Sequence, residues 1–97
     1  MIEVRQTKVF SDWLQAVRDD RAVSRILLRI SRFRVGNFGD AKRLSERVSE
    51  ARVDYGPGYR IYFTLRGTTL IILLCGGDKR TQAADMVRAK RLAEEEE

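Results

Sequence analysis

The sequence predicts an α+β domain: an N-terminal helix hairpin packed on an antiparallel β-sheet, closed by a C-terminal helix. Three observations carry this. Apolar residues recur at helical spacing from Val9 to Phe33. From Glu50 to Arg66 the period falls to two, interrupted by Gly56-Pro57-Gly58. Then LIILLC, residues 70–75, is apolar at every position, the pattern of a strand covered on both faces.

Taken in order, residues 2–6 (IEVRQ) alternate and predict a short first strand. From Lys8 the spacing is helical. Val9, Phe10, Trp13, Leu14 and Val17 share a face, and Thr7 supplies an N-cap. Asp19-Asp20 interrupts the pattern. Asp20 caps a second helix whose apolar stripe is Val23, Ile26, Leu27, Ile30 and Phe33, with Arg21, Arg25, Arg29 and Arg32 on its other face. So short a link predicts an antiparallel pair. GNFGD, residues 36–40, ends the second helix, and the polar run 41–47 reads as a loop. In the strand that follows, Ala51 and Val53 take the core face and Glu50, Arg52 and Asp54 the other. After the Gly-Pro-Gly turn, Tyr59, Ile61 and Phe63 face the core while Arg60, Tyr62 and Thr64 point away from it. Residues 66–69 (RGTT) turn the chain into LIILLC, Gly76-Gly77-Asp78 ends that strand, and residues 79–93 predict a final helix. Residues 1–97 read as a single domain in which 94–97 form a frayed acidic tail.

Composition narrows the chemistry. Histidine is absent, which removes the commonest general base and the commonest transition-metal ligand. A single cysteine, Cys75, permits no internal disulfide and no multi-cysteine metal site. It lies in an apolar strand and reads as a small buried hydrophobe. Catalysis must therefore use carboxylate, lysine, arginine, tyrosine or the substrate itself, and neither a metal nor a cofactor is expected. No apolar stretch is long enough to span a bilayer and no signal-peptide pattern is present, so the expectation is a soluble, cytoplasmic protein without a membrane partner. The net charge is +5, and with the four terminal glutamates set aside nineteen basic residues face ten acidic ones, leaving residues 1–93 at +9. Such a body fits a polyanionic partner, nucleic acid or an acidic protein segment, but charge also serves solubility, and charge alone leaves these readings open.

The polar face of the sheet offers Glu50, Arg52, Arg60 and Tyr62, with Lys79 and Arg80 after the last strand to overhang it and Arg66 further along. Two readings stand. The commoner arrangement is a cross-strand ladder of ion pairs on a solvated face. The sharper one is a site for RNA: arginine forks match phosphate oxygens, tyrosine stacks on a base, and a carboxylate among arginines stays ionised. Cleavage would then use the RNA's own 2′-hydroxyl, with Glu50 helping to remove its proton and Arg52 and Arg60 stabilising the pentavalent phosphate. The leaving-group proton would fall to Lys79, a tyrosine or water.

GNFGD, then EARVDYGPGYRIYF at 50–63, then LLCGGDKRTQ at 73–82 resemble, in that order, the HigB-like "addiction module killer" branch of the RelE/ParE toxin superfamily. The resemblance runs from about Arg18 to Leu92. It implies the fold described above and the toxin of a type II toxin–antitoxin module. RelE-like members are ribosome-dependent mRNA endonucleases, ParE-like members poison DNA gyrase, and both are silenced by a cognate antitoxin, through whose complex the toxin is expected to oligomerise. Arg60 matches the phosphate-binding arginine of RelE-like nucleases, Arg52 the basic residue on their preceding strand, and Glu50 lies near their general base. Lys79 and Arg80 match the basic pair after the last strand, and Tyr62 and Arg66 complete the implied RNA-binding set. The chain departs from the pattern at Met86, where some relatives carry a catalytic tyrosine, at Ala51 for leucine, and in residues 45–48 (SERV), which lack the usual glycine.

Overall fold

Thr7 ends the first strand and starts the first helix. Its hydroxyl accepts the N–H of Phe10 at 3.0 Å and donates to the carbonyl of Leu74 at 2.6 Å, so one side chain caps the helix and ties it to the sheet. The computed structural model describes residues 1–96. In chain order these form β1 (Glu3–Gln6), α1 (Lys8–Ala16), α2 (Asp20–Phe33), β2 (Ala41–Arg43), β3 (Ser49–Val53), β4 (Tyr59–Arg66), β5 (Leu70–Gly77), a 3-10 turn (Lys79–Thr81) and α3 (Gln82–Glu95).

Asp19, one residue before the expected cap, holds the start of α2, where its carboxylate accepts the N–H groups of Arg21 at 2.9 Å and Ala22 at 3.3 Å. Asp20 instead occupies the first turn, where a negative charge complements the helix dipole. Both helices lie on one side of the sheet. Phe10 from α1 and Ile26, Ile30 and Phe33 from α2 bury against Ala51, Val53, Ile61, Phe63, Ile71 and Leu73. Leu27, expected in that stripe, is instead half exposed.

The sheet has five strands in the order β1-β5-β4-β3-β2. From β2 to β5 it is the expected antiparallel meander, but β1 runs parallel to β5, so the sheet is mixed. The sequence could not fix this direction, because no tight turn joins β1 to its neighbour and a long crossover permits parallel pairing. Ala41–Arg43 forms an edge strand where a loop was expected; three residues carry too little alternation to be read. In β5 every residue from Ile71 to Gly77 is buried, in keeping with its all-apolar run.

The last helix covers the opposite face. Ala89 and Ala93 of α3 pack on Val48, Tyr62, Ile72, Leu74 and Cys75. A bulge between Tyr62 and Phe63 in the β4–β5 register sets Leu74 and Cys75 together beneath α3. Beyond the bulge, ordinary alternation sends Gly76 and Gly77 to opposite faces, and each has a helix seated on it. A Cβ on Gly76 would overlap the Trp13 ring of α1, and one on Gly77 would overlap the Asp85 carboxylate of α3. Of the expected frayed tail, Glu94 and Glu95 complete α3, and residue 97 lies outside the described residues. No helix among the described residues is long and apolar enough to cross a membrane.

Candidate functional site

Two rows of side chains cross the sheet face beneath the first turn of α3. In one, Glu50 on β3 stands opposite Tyr62 on β4, which stands opposite Cys75 on β5. In the next, Arg52 stands opposite Arg60, and Arg60 opposite Gly77. Strand alternation therefore brings Glu50, Arg52, Arg60 and Tyr62 together, as their spacing predicts.

Their surroundings are less open than a solvated ladder. Glu50 is completely buried. One carboxylate oxygen accepts from Arg52 Nε at 3.1 Å, and the other accepts from Gln82 Nε2 at 3.0 Å, across 32 residues of sequence. Burial alone raises the pKa of this carboxyl. The hydrogen bonds from Gln82 and Arg52, together with the Arg52 charge, outweigh it and hold the group below its ordinary range. Glu50 is thus an anion with both oxygens engaged. In this arrangement it aims Arg52 rather than meeting a substrate. Tyr62 is equally buried, so its ring offers no face to a base, which corrects the expected stacking role. Burial first, then the charges of Glu50 and Asp85, push its phenol far above the ordinary range.

Arg60 points away from the helix pair, as expected, but is only 8% exposed. Its Nη1 donates to the Gly58 carbonyl at 2.6 Å, while its buried Nε has no hydrogen-bond partner. Gly58 has φ +79°, and a Cβ there would stand 2.9 Å from Arg60 Nη1 and 3.9 Å from the Lys79 Cβ. Glycine is required both for the turn and for the guanidinium beside it. The same distances place exposed Lys79 over this turn. Arg80 is exposed and is held by Asp78, which accepts its N–H at 2.8 Å and its Nη2 at 3.2 Å. Those bonds outweigh the burial of Asp78 and lower its pKa.

Arg66 does not join this group. It pairs with Leu70 at the other end of β4 and lines a separate cleft with Glu46, Arg47, Thr64 and Ala93. Six residues of strand separate it from Arg60, roughly 20 Å. Gln82, by contrast, belongs to the cluster, although no periodicity marked it; its place in the GGDKRTQ run was the only trace. The assembled chemistry is three cations, Arg52, Arg60 and Lys79, with two carboxylates, the sealed Glu50 paired with Arg52 and the Asp85 group seated on Gly77. That surplus of positive charge suits a phosphodiester.

No protein-family profile matches the chain. An "uncharacterized protein" of Haemophilus influenzae is 45% identical to it over 94 residues, 97% of this chain and 95% of the relative. Identity at that level over nearly the full length of both places the chain in one family with that Haemophilus influenzae protein.

Proposed function

We propose that the chain is the toxin of a type II toxin–antitoxin module with a RelE/ParE-like fold, and that it cleaves mRNA on the ribosome. The observation that carries this reading is the placement of Arg52, Arg60 and Lys79 side by side at one end of the sheet, with Arg52 held by the Glu50 carboxylate. An RNA phosphate at this end would lie against the arginines. The 2′-hydroxyl gives its proton to water and attacks phosphorus, the P–O5′ bond breaks, and the products are a 2′,3′-cyclic phosphate and a 5′-hydroxyl. Arg52 and Arg60 stabilise the pentavalent phosphate, and exposed Lys79, over the turn beside Arg60, gives a proton to the departing 5′-oxygen. A cognate antitoxin with an acidic segment complements the basic surface and silences the toxin, and both reside in the cytoplasm.

A second reading is a toxin that acts by binding alone, as ParE-like proteins act on gyrase. The sealing of Glu50 and Arg60 and the lack of histidine favour it. One experiment separates the two. The chain is induced alone in bacteria and RNA 5′ ends are mapped within minutes, with Arg60→Ala as control. New ends inside translated codons, absent in the control, are expected. Growth arrest without new ends would replace the nuclease with the binding reading, and a folded Arg60→Ala that still arrests growth would remove Arg60 from either site.

A further inference from the structure

The geometry points to Gln82 as a positioning residue of this site: its carboxamide holds the Glu50 carboxylate, and through it sets the aim of Arg52. This rests on the reading of the Arg52–Arg60 face as a phosphodiester site. Glu50 has no solvent to satisfy it, so each oxygen needs a protein donor. Arg52 supplies one donor from the neighbouring position on the same face of β3, and Gln82 supplies the other from a different layer of the fold. Without Gln82 one oxygen of a buried anion would lack its donor. The groups facing Glu50 are then Arg52 on β3, Tyr62 on β4 and Lys42, paired across from β2. Glu50 would be drawn toward these, and the Arg52 guanidinium would turn with it.

The reach of Gln82 is built in. Asp78 and Thr81 form a reciprocal capping box that starts the 3-10 turn. Thr81 Oγ1 donates to Asp85 Oδ2 at 2.5 Å, and the bare Gly77 lets that pair sit directly on β5. The first turn of α3 is thereby pinned to the sheet, and Gln82 projects over β4 to β3. A residue from another layer of the fold thus governs, through Glu50, how Arg52 is presented.

The test uses Gln82→Met, which keeps the side chain's length and removes its donors, and Gln82→Asn, which keeps the amide and shortens its reach. Two NMR readouts need no substrate: the titration of the Glu50 side-chain carboxyl by carbon-13 shift, and the solvent exchange of Arg52 Nε–H. Both variants should raise the Glu50 pKa and speed that exchange. Unchanged values in either folded variant would overturn the inference. A third readout is affinity for a short single-stranded RNA, in a cycle with Glu50→Gln. Gln82→Met should weaken binding roughly tenfold, as expected for losing a hydrogen bond to a charged group, and should add nothing once Glu50→Gln is present. Additive losses would mean that Gln82 acts by another route. If the wild-type chain binds no free RNA while the NMR shifts occur as expected, the positioning role stands, and the mapping of RNA 5′ ends decides the nuclease reading separately.

Discussion

A methyl group on Gly77 tests how α3 is seated. Gly77 needs no unusual backbone conformation; it is glycine because the first turn of α3 leaves no space. The added Cβ would overlap the Asp85 carboxylate and stand 2.8 Å from Thr81 Oγ1. Either the Thr81–Asp85 bond breaks or α3 backs away from β5. Overpacking of this kind costs about 1–3 kcal/mol. For a domain near 100 residues each kcal/mol moves Tm by about 4–8 °C, so Gly77→Ala should lower it by roughly 5–20 °C. Thermal and urea unfolding, followed by circular dichroism, measure the loss. Gly67→Ala is the control. It has φ +57° and nothing within 4 Å of its would-be Cβ, so it suffers backbone strain without a clash. In an Asp85→Ala background Gly77→Ala should cost at least about 1 kcal/mol less, while Gly67→Ala should cost the same. An equal penalty for Gly77→Ala in both backgrounds would refute the steric account.

Two further outcomes concern buried titratable groups. The Glu50 carboxyl has a lowered pKa in the folded chain, so the stability it contributes is present above its ordinary value of 4.5 and is lost as pH falls through the lowered one. Glu50→Gln should therefore be less stable than the wild type by about 1–3 kcal/mol at neutral pH, with the gap closing in strong acid; a gap in urea stability that stays constant with pH would contradict this. Burial, aided by the Asp85 charge, pushes the Cys75 thiol up to about 12, so a disulfide reagent at pH 8 should modify it only as fast as the chain unfolds. Rapid labelling of the native protein would count against the buried placement.

Much of the site was legible because alternation in a strand is a local property. Glu50, Arg52, Arg60 and Tyr62 were assigned to one face from spacing alone, and the register confirms that they meet. The capping of α1 by Thr7 was equally local. What spacing could not show was the state of that face. Residues 79–93 read as a helix, but the side on which it lands depends on contacts far along the chain. Because α3 covers the polar face, Tyr62 is shut in and Glu50 has no water. Arg66 shares the basic character of Arg60 yet lies at the other end of the strand, a separation that a list of arginines does not convey.

The sequence by itself determined the α+β class, the two faces of β3 and β4, the central place of the all-apolar β5 and the positive charge of the body. Each follows from side-chain period or composition, which need no partner to be read. Only the tertiary structure decided that β1 pairs parallel to β5, that α3 seals the polar face, and that Gln82 meets Glu50. The seating of the helices depends on two glycines against which they close from opposite sides. The physical reason is that packing between distant segments is settled by which shapes fit, and one-dimensional spacing carries no record of that fit.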